Sequence, residues 1–281
     1  MGWHDMKRLL LAGVATATFF AGSAKAADVA VRPLVYRARP PVAAPILSWT
    51  GFYIGANAGW VGSTGNTITS VGTDTGAGGL GTALALGGIP AAINLGYSGF
   101  IGGGQIGYNW QVSPIWVVGV ETDIQGANAK STFSTTITPG LVPVTTNASR
   151  ELDWLGTFRG RLGVTPASPL LLYVTGGLAY GKRQFGIGDI ALAGAPPLNT
   201  FNQVSSTKTG WTAGGGAEWK FAPNWSVKAE YLYVDLGTNS STIFYTYGPF
   251  TSSLTASVRD RENIVRAGIN YTFGGPVYAA R

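Results

Sequence analysis

Eight segments of roughly ten residues in this chain alternate apolar side chains with polar or small ones. In the first, FYIGANAGW, Phe52, Ile54 and Trp60 fall on one face, while Tyr53 and Asn57 fall on the other. Successive side chains point to opposite faces in a β-strand, so a period of two predicts strands with one apolar and one polar face. The segments are 52–60, 100–110, 116–124, 154–162, 170–181, 211–221, 225–235 and 263–273.

The connections between these segments alternate between long and short. The long ones are 61–99, 127–151, 182–209 and 236–262, and the short ones are QVSPI, TPASP and APN. Barrels of bacterial outer membranes have long outer loops and short periplasmic turns, and an even number of strands places both termini on the periplasmic side. If these segments form such a barrel, the alternation of long and short connections indicates which end faces the periplasm and which faces outwards.

A transmembrane helix is not predicted anywhere in the chain. The nearest candidate, 76–96, is uncharged but rich in glycine and contains Pro90, and both residue types are poor helix formers. In lipid, only helices and closed barrels satisfy every backbone hydrogen bond. The sequence thus predicts an all-β fold: an eight-stranded antiparallel up-and-down transmembrane β-barrel with four long outer loops and three short periplasmic turns.

The N-terminus has the pattern of an export signal. Lys7 and Arg8 precede the apolar stretch 9–22, and Ala24, Lys25 and Ala26 form a small-residue cleavage site. We therefore predict a signal peptide over 1–26, with Met1 and Met6 both open as the true start. The predicted organisation continues with a flexible periplasmic lead-in containing Pro and Arg at 27–48, the outer-membrane barrel at 49–273 and a C-terminal tail at 274–281.

The composition argues against several kinds of chemistry. The chain has no cysteine, and its single histidine, His4, lies in the predicted signal peptide. The mature chain therefore lacks a thiol nucleophile and an imidazole base, and we predict no enzyme activity, no cofactor and no metal site. Charged residues make up only 11% of the chain and are scattered, which gives no concentrated basic surface for nucleic acid.

One glycine motif, GGGQIGYNW, matches a nucleotide-binding pattern through Gly102, Gly104 and Gly107. A dinucleotide loop needs a helix after its last glycine, because the helix N-terminus holds the pyrophosphate. Aromatic and β-branched residues follow instead, so we predict that these glycines relieve crowding inside a narrow barrel.

Aromatic residues recur at the ends of the segments, as in the two interface belts of membrane barrels. The predicted outer belt is Trp60, Trp154, Tyr180, Trp211 and Tyr233, and the predicted inner belt is Trp110, Trp116, Trp219, Trp225 and Phe273.

Charged side chains recur on the polar face of the segments, which would line the lumen. If the APN turn joins neighbouring strands, Glu218 lies directly opposite Lys228. Since an eight-stranded barrel is narrow enough for side chains to fill it, mixed charges predict a salt-bridged plug, with a gated or narrow passage as the alternative. The segment Arg259, Asp260, Arg261 and Glu262 is predicted as a solvated strand end. The predicted lumen network is Glu121, Asp123, Arg159, Arg161, Glu218, Lys220, Lys228, Glu230 and Arg266.

Five stretches together resemble the small outer-membrane β-barrel family of α-proteobacteria, often called porin-like or outer-membrane immunogenic surface proteins. They are WTGFYIGANAGW, GGGQIGYNWQ, LLLYVTGGLAYG, GWTAGGGAEWKFAPNWSVKAEYLYVDLG and NIVRAGINYTF. The resemblance covers 49–273 and is most specific over 210–237. It implies a barrel similar to the OmpA membrane domain, exposed loops, a part in envelope integrity and host contact, and no enzyme activity. Family barrels often end on an aromatic residue, whereas here GGPVYAAR follows Phe273, which leaves the position of the assembly signal open.

The functional expectation is an outer-membrane surface protein with a structural and antigen-like role. A narrow passive porin for small solutes is the alternative, and an adhesin or a haem-binding protein using Tyr245 or Tyr247 comes third. The expected partners are outer-membrane lipid or lipopolysaccharide, the barrel-assembly machinery, and a host or surface ligand at the outer loops, without nucleic acid.

Overall fold

The computed structural model describes residues 47–138, 143–167, 169–192 and 202–273. The predicted signal peptide, residues 27–46 of the predicted lead-in and the predicted tail lie outside the described residues.

The described chain forms ten strands and one short helix. They are β1 (Gly51–Ser63), β2 (Thr67–Asp74), α1 (Leu80–Ala85), β3 (Ala92–Asn94), β4 (Ser98–Gln111), β5 (Trp116–Ile137), β6 (Val144–Ala167), β7 (Leu170–Leu192), β8 (Asn202–Lys220), β9 (Trp225–Tyr247) and β10 (Phe250–Phe273).

The strands form one antiparallel sheet that closes into a ring. Its order is β1, β4, β5, β6, β7, β8, β9, β10, and β10 pairs again with β1 from Phe52↔Phe273 to Ser63↔Glu262. This confirms the all-β, antiparallel, up-and-down barrel. The described sheet has ten strands and not eight, because β2 and β3 lie inside the predicted first loop, 61–99, and extend the sheet beyond β10 without entering the ring.

The strands are much longer than the predicted segments: β5, β7 and β9 have 22, 23 and 23 residues. A tilted strand crosses the hydrocarbon with about 9–11 residues, so roughly half of each strand extends past it. Most of the predicted long loops at 127–151, 182–209 and 236–262 is therefore strand. Only Gly248, at a φ of 55°, and Pro249 separate β9 from β10.

The two ends of the ring differ. We call the end with the short connections, at 112–115, between β6 and β7 and at 221–224, the turn end, and the opposite end the loop end. Towards the loop end, described pairing stops at Gly99↔Ala129 between β4 and β5 and at Trp211↔Asp235 between β8 and β9. Beyond these points the described strands form two sheets, β5–β6–β7–β8 and β9–β10–β2–β3. We call the part with two sheets the loop half and the rest the turn half.

The two sheets of the loop half face each other across an apolar core. Phe185 and Ile187 on one sheet and Leu254 and Val258 on the other are at most 2% exposed. Helix α1 adds Leu80 and Ala83 to the same core. Asp74 fixes this helix by accepting hydrogen bonds from the backbone amides of Gly81 at 2.8 Å and Thr82 at 2.6 Å. The predicted first loop is thus a folded lid inside the loop half.

Candidate functional site

The centre of the turn half contains a cluster of buried charges around Arg159. Its guanidinium group donates to Glu230 at 2.9 Å, to Asp123 at 2.8 Å and also to Glu121, and its side chain is 0% exposed. Glu121 is the register partner of Arg159 on the neighbouring strand β5, whereas Glu230 lies on β9. A single side chain therefore joins strands that are not neighbours in the sheet.

Two further cations complete this central cluster. Arg266 on β10 donates to Glu230 at 2.7 Å and to Asp123 at 2.9 Å. The Lys228 ammonium donates to the two oxygens of Glu121 at 2.9 and 2.8 Å. Each of the three carboxylates thus contacts at least two cations, the arrangement that a buried charge requires.

A second group of charges lies next to this cluster. Arg161 donates to Glu218 at 2.8 Å and to the Tyr53 hydroxyl at 2.8 Å, and its guanidinium carbon lies 3.9 Å from the centre of the Tyr173 ring. Glu218 also accepts hydrogen bonds from the side chains of Ser226 and Asn270. The four carboxylates Glu121, Asp123, Glu218 and Glu230 are balanced by the four cations Arg159, Arg161, Lys228 and Arg266.

The structure corrects one predicted pair. Glu218 and Lys228 are register partners, as the APN turn predicted. Their ionic contacts go elsewhere, since Glu218 binds Arg161 and Lys228 binds Glu121. Long side chains in a narrow lumen reach across it to other strands, so the nearest residue in register is not the ionic partner.

Lys220 lies apart from the other eight predicted charges, near the turn end. Its ammonium donates to the Ser48 carbonyl and lies 4.8 Å from the centre of the Trp49 ring. Trp49 is 3% exposed and packs with Val117, Leu171 and Tyr173. The residues that precede β1 therefore cover the interior at this end.

The predicted network contained only charged residues and left out the uncharged members, although the alternation had placed Tyr53 and Asn57 on the lumen face. Tyr53, Asn57, Gln105, Tyr173 and Asn270 are all buried and hydrogen-bonded in the interior. These residues alternate along their strands in phase with the charged residues. This phase was the signal in the sequence that could have identified them as members of the network.

A second buried charge cluster lies at the border with the loop half. Arg150 donates to Asp260 at 2.8 Å and to the Leu95 carbonyl at 2.7 Å, and Arg183 donates to Glu262 and Tyr97. Asp260 and Glu262 are 3% and 0% exposed, so the prediction of a solvated strand end was wrong for these two residues. Positive and negative side chains alternate along this part of β10. The two acidic side chains therefore point to the same face of the strand, and here that face is the interior.

An apolar layer lies along the interior beside these charges. Leu152, Leu155, Leu232, Val234 and Ile264 are 0% exposed in one cluster. This layer excludes water from the adjoining ion pairs and strengthens them electrostatically.

The glycines of GGGQIGYNW lie within β4, and no helix follows them. A β-carbon at Gly107 would lie 2.4 Å from the Tyr53 hydroxyl oxygen, and one at Gly103 would lie 2.0 Å from the Ile124 carbonyl oxygen. Both distances are too short for a real side chain, so these glycines allow Tyr53 and the neighbouring backbone to approach closely. Gly102 and Gly104 instead alternate in phase with the outward-facing Phe100 and Ile106, and a β-carbon there would come no closer than 3.3 and 3.6 Å to its nearest neighbour, so the predicted relief of lumen crowding was wrong for these two.

The ten predicted interface aromatics lie on the outer wall in two groups. Trp110, Trp116, Trp219, Trp225 and Phe273, 42–51% exposed, lie at the turn end. In the other group, Trp154 and Tyr180 pack with ring centres 6.0 Å apart, and Trp211 and Tyr233 pack at 5.4 Å. The eight residue steps from Trp211 to Trp219 rise about 20 Å in a tilted strand, close to the height of the apolar band of such barrels.

The described ranges of the chain are 47–138, 143–167, 169–192 and 202–273. None of their helices is long and apolar enough to cross a membrane. In the same ranges, no group of three or more His, Cys, Asp or Glu side chains is arranged to hold a metal ion.

Comparison with known proteins decides the family. Residues 13–273 match the model of the outer membrane protein beta-barrel domain. The chain belongs to this family. It is an outer-membrane surface protein, and its turn half, with apolar residues outside and polar residues inside, is the part that spans the membrane.

Two relatives and one solved structure are among the proteins to which this chain is similar. The 31 kDa outer-membrane immunogenic protein of Brucella melitensis biotype 1 is 38% identical over 273 residues, covering 95% of this chain and 100% of the relative. The 22 kDa outer membrane protein of Rhizobium leguminosarum bv. viciae is 31% identical over 173 residues, covering 61% of this chain and 66% of the relative. The outer membrane protein OprG from Pseudomonas aeruginosa has a TM-score of 0.42 at 12% identity, covering 79% and 97% of the two chains.

Proposed function

We propose that this barrel has a structural and interactive role at the cell surface and that its lumen is plugged. The single observation that carries the proposal is the central cluster, in which Arg159 is 0% exposed and binds three carboxylates from two different strands. Four carboxylates against four cations leave this group of eight charges neutral, so the group needs no mobile counter-ion. A structural barrel needs such a filled lumen, whereas a porin needs an open one.

Further layers support closure along the axis. Trp49 and Lys220 cover the interior at the turn end. Beyond the charges lie the layer around Leu232 and Ile264 and then the core of the loop half with helix α1. A solute would have to displace all of these groups.

The loop end faces outwards in this proposal, and both chain termini are periplasmic. Long extensions on the outer side and short turns on the periplasmic side are the rule for such barrels. The relative from Brucella melitensis is named as immunogenic, which agrees with an exposed, antigen-like loop end in this chain. The partners would be the barrel-assembly machinery, outer-membrane lipid and a host or surface ligand at the loop end.

We also infer a role without catalysis. The only histidine, His4, precedes the barrel, and the buried carboxylates are all engaged in ion pairs with Arg or Lys. Carboxylates held in this way are poorly suited to accept a substrate proton. For the haem hypothesis, Tyr245 packs against the core of the loop half, and the side chain of Tyr247 lies outside the described parts.

Single-channel conductance in a planar lipid bilayer tests the plug. We expect the folded wild-type protein to be silent and a variant combining Trp49→Ala, Arg161→Ala and Glu218→Ala to conduct small ions. This variant removes a ring and one ion pair of 2.8 Å while keeping the interior neutral. The matched control, Lys130→Ala with Glu151→Ala, removes an exposed pair of 3.4 Å and should stay silent. Steady openings of the wild type would refute the plug, whereas silence of the folded triple variant would place the seal in the layers that it leaves intact, around Arg159, Leu232 and helix α1.

A narrow passage is the second candidate, and one observation favours it. Asn57, Asn109 and Gln125 each keep a buried side-chain oxygen without a hydrogen-bond partner in the described structure. They lie on β1, β4 and β5, where amides face the lumen beside the carboxylates of Glu121 and Asp123, and such oxygens are typical sites for ordered water. Wild-type openings whose ion selectivity changes in Asn57→Asp would establish this passage instead.

A further inference from the structure

The outer surface of the loop half differs between its two sheets. On β9, β10 and β2, the residues that point outwards alternate with the buried core residues along each strand. Almost all of them are serine or threonine. We call this surface the hydroxyl face; its members are Thr238, Ser240, Thr242, Thr246, Thr251, Ser253, Thr255, Ser257, Thr67, Thr69, Thr73 and Thr75.

Hydrogen bonds between neighbouring strands order this face. Thr73 and Ser253 are 2.8 Å apart, Ser240 and Ser257 are 3.0 Å apart, and Thr242 is 3.0 Å from Thr255. A hydroxyl group has one donor and two acceptor sites, so each pair keeps capacity for a further partner. Strands spaced about 4.8 Å apart, with side chains every 6.8 Å or so on one face, make a regular array of uncharged hydrogen-bonding groups.

Two apolar side chains stand within this array. Phe244 is 74% exposed and Val71 is 65% exposed. Phe244 lies eleven residues beyond Tyr233 on β9, about 28 Å further from the membrane in a tilted strand, so hydrocarbon does not cover it. A large exposed aromatic group surrounded by hydroxyls fits a ligand that has both C–H and O–H groups.

Positive charge lies at the membrane-proximal edge of the face. Arg261 pairs in register with Asp235, two residues beyond the Tyr233↔Asn263 pair of the aromatic belt. The side chains of Arg259 and Arg261 are 54% and 38% exposed and both bind the Asp235 carboxylate, at 2.8 and 3.2 Å. Two cations share one anion, so this edge carries a net charge of +1 at the level of the lipid phosphates.

The opposite sheet lacks this combination. Its outward residues near the belt form the ion pairs Lys130–Glu151 at 3.4 Å and Lys182–Asp153 at 3.5 Å, which leave no net charge. Next to the outer aromatic belt, one sheet of the loop half therefore carries a net positive charge and the other sheet carries none.

We propose that the hydroxyl face docks the saccharide part of lipopolysaccharide from the surrounding outer membrane. Arg259 and Arg261 meet phosphate groups near the belt, and Phe244 and the hydroxyls contact the sugars further out. Going outwards from the membrane, this side of the barrel presents an apolar wall, then the two arginines, then the hydroxyls with Phe244. Lipopolysaccharide presents the matching groups in the same order: acyl chains, then phosphates, then sugars. This docking rests on the loop end facing outwards, as proposed above.

The test compares three membranes that contain the folded, full-length mature protein: phospholipid alone, phospholipid with lipid A, and phospholipid with lipopolysaccharide carrying its core sugars. The readout is the temperature at which half of the protein loses its folded mobility on a gel. For the wild type we expect core sugars to raise this temperature by about 3 °C beyond lipid A, as ligand linkage predicts. Phe244→Ser and Ser253→Glu should each remove that increment.

The matched control is Ser134→Glu, which places the same charge on an exposed outward position of the opposite sheet and should keep the increment. Equal stabilisation of the wild type by lipid A and by the complete glycolipid would overturn the saccharide site. Loss of the increment in the control as well as in the two face variants would also overturn it, because the effect would then not belong to this face.

Orientation is tested separately. The chain has no cysteine, so a single Thr73→Cys can be labelled on intact cells with a reagent that does not cross the outer membrane. Labelling is expected. Absence of labelling would refute the outward loop end and with it the proposed function, whereas labelling without any saccharide increment would refute only the docking.

Discussion

Side chains alternate with a period of two residues in both the turn half and the loop half of this barrel, but the apolar face is the outer wall in the turn half and the interior in the loop half. In the turn half, the interior holds the fully buried Arg159 and the outer wall exposes Val174 at 61%. In the loop half, the interior holds Phe185 at 2% exposure and the outer wall carries threonines such as Thr242. A single strand, β7, contributes to both halves without a break between Leu170 and Leu192.

The difference shows that the outer environment sets which face of a strand is apolar. Lipid requires an apolar wall, so the polar residues of the turn half turn inwards, where they need partners of opposite charge. Beyond the membrane the wall meets water, so the apolar residues turn inwards and form an ordinary core. The ring also splits into two sheets in the loop half, because water can satisfy strand edges that lipid cannot.

The largest expected effect comes from breaking the charged interior. Replacing Arg159 with Met removes a cation that contacts all of Glu121, Asp123 and Glu230 and leaves the buried cluster with an excess negative charge, so we expect a loss of about 3–5 kcal/mol in the free energy of unfolding. Urea unfolding in lipid, followed by tryptophan fluorescence, measures it. Arg159→Met combined with Glu230→Gln should recover part of the loss, because one unpaired charge is removed. A single variant as stable as the wild type would contradict the role of this cluster.

The apolar interior should respond with a smaller and local effect. Leu254→Ala creates a cavity in the core of the loop half and should cost about 2–4 kcal/mol there. Hydrogen exchange should accelerate over 250–258 but not over 263–273, although both lie on β10. The control, Leu178→Ala on the outer wall, creates no enclosed cavity because this side chain is 63% exposed. Equal acceleration along the whole of β10 would argue against two separable halves.

A matched pair of substitutions tests the outer walls directly. Val174 in the turn half and Val71 in the loop half are 61% and 65% exposed, so Val→Thr adds one hydroxyl at nearly equal exposure. We expect Val174→Thr to destabilise the barrel by about 1–2 kcal/mol, since lipid offers the hydroxyl no partner, and Val71→Thr to be neutral. Unfolding in lipid measures both. Similar effects at the two sites would show that both walls meet the same environment.

The smallest effect concerns the lid of the loop half and depends on pH. Partial burial opposes ionisation of Asp74, but hydrogen bonds from Ser252, Thr82 and Gly81 outweigh it and lower the pKa of this carboxyl. Its contribution is therefore complete above the ordinary aspartate pKa of about 3.9 and is lost as the pH falls through the lower value in the folded protein. Cleavage near α1 by an acid protease should rise over that range in the wild type. Asp74→Asn should be cleaved more readily than the wild type above that range and at a similar rate below it, and a pH profile of this variant identical to that of the wild type would exclude Asp74 as the cause.

The sequence predicted the turn half well because lipid imposes a strong pattern on it. Phe52, Ile54 and Trp60 point outwards and Tyr53 and Asn57 inwards, as the alternation indicated. The strands of the loop half were predicted as loops, because a composition of serine, threonine and scattered apolar residues is also typical of loops. If the alternation predicted for 263–273 had been extended back along the chain to Asp260 and Glu262, it would have placed both carboxylates inside.

The sequence by itself determined the β-barrel class, the face to which each side chain of the turn half belongs, and the charges that share the interior of the turn half. These follow from the backbone, because a strand turns successive side chains to opposite sides whatever lies around it. The tertiary structure alone decided that Lys228 binds Glu121 and not its register partner Glu218, and that two sheets replace the ring at the loop end. Closure of the ring brings β5 and β9 within reach across the lumen, and distances of that kind between remote strands are absent from any local pattern of residues.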